Sequence, residues 1–157
     1  MNLILPPTTR IRYSEIQHTK EEVFTFVNDR PPFEQLMFAV ERLTKFCVET
    51  NFPLCKIPIT AQDAEFCLKA RGVEMRRLQR LRKEDLLKPL LFVRYEDRTE
   101  GTHLMIDGTH RLVRLVLLGI TEAIAYVIED RALWEPFVVQ GAPLLDGERL
   151  IRSESGL

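Results

Sequence analysis

The hydrophobic pattern reads as helical over the first third of the chain and as mixed strand and helix afterwards. Thr19 and Glu22 have capping-box spacing, in which each side chain satisfies the other's free backbone N–H. Val23, Phe24 and Val27 form an apolar stripe after it, so the first helix is predicted to start at Thr19. Pro31 and Pro32 interrupt it. Phe33, Leu36, Met37, Val40, Leu43 and Cys47 then recur at helical spacing. They predict a second helix from Pro32 to about Glu49, ended by Asn51 and Pro53. A short strand is expected over Lys56–Ile59, then a helix capped by Thr60, running through Ala70 and closed by Gly72. Another helical piece covers Val73–Lys83, with Met75, Leu78 and Leu81 expected to face inward.

The pattern changes at Pro89. Leu90–Tyr95 reads as a strand, Glu96–Gly101 as a polar turn region, and Thr102–Ile106 as a second strand pairing with the first in a hairpin. Asp107-Gly108 is a turn signal. Thr109–Leu118 reads as a helix with Leu112, Leu115, Val116 and Leu118 apolar, and Gly119 suits the left-handed residue that ends it. Ala123–Ile128 is continuously apolar, the mark of a buried strand. Beyond Arg131 only Phe137–Val139 is apolar over a stretch, and a frayed end is expected.

Composition narrows the class. At 157 residues with 45% hydrophobic and 29% charged side chains, the chain has an ordinary globular balance. Its longest apolar run has six residues, against about 20 for a membrane-spanning helix, so no membrane partner is expected. The opening MNLILPPTTR lacks the apolar stretch of a secretory signal, which makes the cytoplasm the expected compartment. Cys47, Cys55 and Cys67 form no C-x-x-C pair and are expected to be reduced thiols. The net charge of -1 hides an asymmetry: Lys69–Lys88 holds eight basic and three acidic residues, leaving that segment at +5.

The segment with most chemical content is His103-Leu104-Met105-Ile106-Asp107-Gly108-Thr109-His110-Arg111, a strand, a glycine turn and a helix start. A helix N-terminus presents unpaired N–H groups and a partial positive charge, so acids are favoured there. This one opens with His110 and Arg111, and Arg114 comes a turn later. Backbone N–H groups, a glycine that permits close approach and a guanidinium fork suit a phosphate. The competing reading makes Asp107 the anion, capping the helix and pairing with Arg111.

MIDGTHRLVRLVLLGITEAIAYVI resembles the core of the ParB/sulfiredoxin-like superfamily: a strand, a Gly-x-His-Arg or Gly-x-Arg-Arg turn, a helix, Gly-Ile and a strand. Lys88-Pro89-Leu90-Leu91-Phe92-Val93 resembles the superfamily's Pro-initiated strand. The resemblance covers about residues 55–130. It implies an α+β fold, a small mixed β-sheet with flanking helices, to which the pattern adds an N-terminal helical arm over 1–54 and an extension over 131–157. It implies ATP or CTP as ligand, with Gly108, Thr109, His110 and Arg111 binding phosphate. Asp107 would be the catalytic group, holding Mg²⁺ or taking a proton, and Arg76, Arg80 or Arg114 would add basic contacts.

The departures are specific. Sulfiredoxins carry a cysteine where this chain has Thr109, so their repair chemistry is not expected. Partition ParB proteins carry Gly-Glu-Arg-Arg and a helix-turn-helix domain after it; with Gly-Thr-His-Arg here and 27 residues after Asp130, a partition role on DNA is not expected. Free-serine kinases of the superfamily carry Asp-Gly-His-His-Arg, from which this chain departs only at Thr109. The expected function is therefore nucleotide phosphate binding, with Mg²⁺-dependent phosphoryl transfer or NTP hydrolysis as its catalytic form. The alternatives are a non-catalytic regulatory or interaction protein on the same fold, partnered or homodimeric through the arm, and a nucleic-acid-binding or nuclease-like protein using the Arg-rich helix. His103 and Trp134 are expected to be structural, Trp134 capping the core with Phe137 rather than stacking on a base.

Overall fold

The computed structural model describes residues 10–28, 33–95 and 103–144. The chain divides into two units: the described residues up to Phe46 with those from Ala132, and Cys47–Arg131.

The first unit departs most from the sequence pattern. After a one-turn helix α1 (Tyr13–Ile16), the chain forms β1 (Phe24–Asn28) and β2 (Glu34–Phe38), paired antiparallel with Phe24 opposite Phe38. The helix expected from Thr19 and the first half of the helix expected from Pro32 are therefore strands. The Thr19 hydroxyl donates to the Ile16 carbonyl instead of capping a helix with Glu22. The helical spacing is genuine only from Val40, where α2 (Val40–Glu49) begins. Tertiary pairing outweighs the local period. Val139 N–H donates to the Met37 carbonyl and Ala39 N–H to that of Phe137, while Gln140 bonds on its other side to Ile11 and Tyr13. The chain on both sides of the second unit thus joins in one backbone network. Apolar closure comes from Phe38 with Trp134 and Phe46 with Phe137, with ring centroids 5.5 and 5.4 Å apart. Trp134 is fully buried, as expected of a core residue. Arg42 makes a two-pronged pair with Glu21 at 2.9 and 3.0 Å, a fork that a lysine would not reproduce.

The second unit is α+β, a four-stranded mixed sheet with helices. Its strands are β3 (Cys55–Pro58), β4 (Leu90–Arg94), β5 (His103–Asp107) and β6 (Glu122–Ile128), in the order β3-β6-β4-β5. β6 runs parallel to β4 and antiparallel to β3, and β4 pairs antiparallel with β5 as the hairpin pattern anticipated. Helix α3 (Ala61–Ala70) starts at a capping box between Thr60 and Asp63. The expected helix over Val73–Lys83 is instead two short ones, α4 (Met75–Arg80) and α5 (Lys83–Leu86), broken where Leu81 turns extended. Leu78 is buried there, but Met75 is exposed. α6 (Thr109–Leu117) carries the chain across β4, from β5 to β6. It ends at Gly119 in a Schellman arrangement, with Ile120 N–H on the Leu115 carbonyl and Gly119 N–H on that of Val116. Leu90, Met105, Ala123 and Ala125 face a core completed by Cys67 of α3, Leu78 of α4, and Leu112 and Val113 of α6. Among the described residues no helix is long and apolar enough to cross a membrane.

Cys47 and Cys67 are buried and Cys55 is exposed on β3, so their reactivities should separate. Burial pushes the Cys47 thiol from 9.0 up to about 11 and raises that of Cys67 as well. Below pH 9 the Cys47 thiol is protonated in both folded and unfolded chains. Above it the unfolded chain ionises first, so stability should fall as the pH climbs from 9.0 toward about 11. A thiol reagent at neutral pH should titrate Cys55 alone in the native protein and all three thiols in denaturant, and urea melts should show the alkaline loss.

Candidate functional site

The turn between β5 and α6 brings Asp107, Gly108, Thr109, His110 and Arg111 together. Two features of the sheet place it there. Met105 lies opposite Phe92 and Asp107 opposite Leu91, so Ile106 is an extra residue on β5 and the strand carries a bulge just before the turn. A bulge bends its strand and re-aims the next few residues. Gly108 then adopts φ 109° and forms the N-cap of α6. A Cβ there would run into the Leu90 side chain, which is fully buried and has no room to retreat. The glycine is thus required twice, by its dihedral and by its packing.

Each charged side chain of the turn has a partner within the protein. Arg111 donates from Nη2 to the Pro89 carbonyl at 2.9 Å and to Asp107 Oδ2 at 3.4 Å. The second contact is long for a charge-assisted bond, which runs at about 2.7–2.9 Å. Arg111 Nε is buried and has no acceptor among the described residues. His110 Nε2 accepts the Glu74 N–H at 3.0 Å, which fixes the tautomer with its proton on Nδ1. Glu74 is the N-cap residue of α4 and caps nothing with its own side chain, so the imidazole satisfies a free donor at that helix start. The N-cap residue Gly108 has no side chain with which to cap α6, and no acid occupies its first turn.

The remaining basic residues are more dispersed. Arg114 is half-buried one turn along α6, and Arg76 and Arg80 are exposed on α4, the helix that His110 ties to the turn. His103 is exposed on β5 and bonds Glu129 at 2.8 Å, and Arg94 reaches the same carboxylate at 3.6 Å. The sequence did not reveal the Pro89 carbonyl or the Glu74 N–H as partners of the motif. Both are backbone groups brought in from elsewhere in the chain, with no side-chain signature.

The residues at the turn do not fit a Mg²⁺ ion held by the protein. Asp107 is its single carboxylate and already faces a guanidinium. Among the described residues no group of three or more His, Cys, Asp and Glu side chains gathers as a metal site.

Gly108→Ala should destabilise the protein by roughly 1–3 kcal/mol from overlap with Leu90 alone, and further through the left-handed backbone, measurable as a lowered urea midpoint. His110→Ala, which leaves the Glu74 N–H without its acceptor, should cost about 1 kcal/mol in the same assay. Comparison with protein-family models, curated proteins and solved structures finds no match to this chain.

Proposed function

We propose that the Cys47–Arg131 unit binds the phosphate group of a nucleotide, ATP or CTP, at the N-terminus of α6, as its resemblance to ParB/sulfiredoxin-like proteins implies. The observation that carries this reading is the buried Arg111 Nε, which has no acceptor among the described residues and lies beside a helix start whose N-cap is a glycine and whose first turn holds no acid. A buried donor without a partner costs about 1–3 kcal/mol, and an anionic oxygen is the group that would offset it. The same oxygen would meet the partial positive charge of the α6 terminus. Thr109 adds a hydroxyl at the first helical position, and α4 carries Arg76 and Arg80 away from the same corner.

The reading is one of binding without chemistry. Asp107 faces Arg111 Nη2 at 3.4 Å, and the turn supplies no second carboxylate to share catalytic work with it. The domain is then a ligand-responsive regulatory module on this fold, and phosphoryl transfer would require the pair to open. A second reading, contact with nucleic-acid phosphates, is favoured by the exposed arginines of α4. It requires a gel shift that weakens steeply with salt.

The test uses Thr109→Asp, which places a carboxylate where the phosphate would sit. The substitution suits the helix dipole by about 0.3–1 kcal/mol, so the variant should melt at or above the wild-type temperature. ATP or CTP, with and without Mg²⁺, should raise the melting temperature of the wild type by several degrees when well above Kd, and should leave Thr109→Asp unmoved. No shift with either nucleotide, or equal shifts in both proteins, would overturn the reading.

A further inference from the structure

A cavity of about 260 Å³ lies on the sheet face beneath α3. Its floor follows from the strand register. Phe92 of β4 lies opposite Met105 of β5 on one side and Val127 of β6 on the other, so the three form an apolar row across one face of the sheet. Its existence follows from side-chain size. The buried residues of α3 are Ala64 and Cys67, and β6 supplies Ala123 and Ala125 to the same core. Small side chains on both layers leave space that larger ones would fill. Ile57 and Phe92, both in the cavity wall, accordingly stay only partly buried.

Three observations give the cavity a chemistry. Phe66 is 60% exposed although aromatic, and it stands in the cavity wall, where a ligand would cover it. The polar side chains of the wall each have a partner within the protein. Arg71 Nη1 donates to the Met105 carbonyl, Asp63 accepts from the Thr60 N–H at 2.8 Å and the Thr60 hydroxyl at 2.9 Å, and His103 bonds Glu129 at 2.8 Å. Neither sign of charge prevails at the wall: beyond the burial that raises the Cys67 thiol most, Arg71 pulls its pKa down and Asp63 pushes it up. A charged guest would lose its hydration there and gain no counter-charge in exchange.

We propose that this cavity binds a compact uncharged molecule with an aromatic or branched hydrocarbon body, held among Phe66, Phe92 and Met105. Size sets the upper limit. An engineered cavity of about 150 Å³ lined by apolar side chains accepts benzene, so this space suits one ring with a short substituent, and a nucleotide is too large for it. A mostly apolar concavity is the general form of a small-molecule site. The proposal is independent of the phosphate reading, because the cavity shares no residue with the Asp107–Arg111 turn.

The experiment is a titration of ¹⁵N-labelled protein with toluene and, in parallel, with benzoate and benzylammonium, which carry a negative and a positive charge on the same ring. Toluene should shift amides of α3, β4 and β5 saturably with a Kd below ~1 mM, and both charged probes should bind at least roughly tenfold more weakly. Phe66→Ala removes an exposed ring and so leaves the fold intact, and it should weaken toluene several-fold. Cys67→Leu places a larger apolar side chain in the space and should abolish toluene binding while the protein melts at or above the wild-type temperature. Thr109→Asp should bind toluene as the wild type does, whatever its response to nucleotides. No saturable shift, a charged probe that binds as tightly as toluene, or shifts centred elsewhere would overturn the proposal. So would unchanged toluene affinity in Phe66→Ala or in folded Cys67→Leu, or loss of binding in Thr109→Asp.

Discussion

The second unit depends on the contact between Gly108 and Leu90. The bulge at Ile106 and the left-handed glycine turn the chain from β5 into α6 with the Gly108 backbone directly against the Leu90 side chain of β4. Because Leu90 begins β4 and belongs to the core with Met105, Leu112 and Ala125, this single approach sets how α6 lies over the sheet. Arg111 reinforces the joint from α6 by holding the carbonyl of Pro89, the residue just before β4. A Gly-x-His-Arg sequence can thus be read as a fold device before it is read as a ligand device, and here the two roles share one side chain. The packing role uses Nη2, and the proposed ligand role rests on Nε.

Much of this unit was legible in the sequence because its elements advertise themselves locally. Thr60 with Asp63 marks a helix start, Gly119 marks a helix end, and Ala123–Ile128 is too apolar to be anything but buried. The first unit was not legible for a physical reason. Leu36-Met37-Phe38-Ala39-Val40 is an unbroken apolar run, and such a run satisfies helical spacing and a buried strand equally well. Its strand character comes from β1, where Phe26 lies opposite Leu36, and from Val139, about a hundred residues away. The aromatic and β-branched run Phe24-Thr25-Phe26-Val27 was the available signal for a strand, and the apparent cap at Thr19 outweighed it.

The candidate sites divide in the same way. The turn was visible because consecutive residues make it. The cavity under α3 was not, because Phe66, Arg71, Phe92 and His103 come together only through the sheet order β3-β6-β4-β5. In sequence Arg71 is one of the eight basic residues of Lys69–Lys88, yet the fold separates it from its neighbours: Arg76 and Arg80 remain in solvent while Arg71 turns in toward the β5 edge.

The pairing of residues 137–140 with β2 and with Ile11 and Tyr13 has a consequence for the order of assembly. Chains emerge from the ribosome N-terminus first, and units fold as they become complete. The segment Cys47–Arg131 is contiguous and is whole while the later residues are still being made. The first unit must wait, its β1–β2 ribbon synthesised early but lacking the strand partner and the Trp134 and Phe137 rings that cover it. Translation therefore completes the contiguous unit first, and the flanking unit closes only when residues 137–140 come to pair with strand and backbone made well before them.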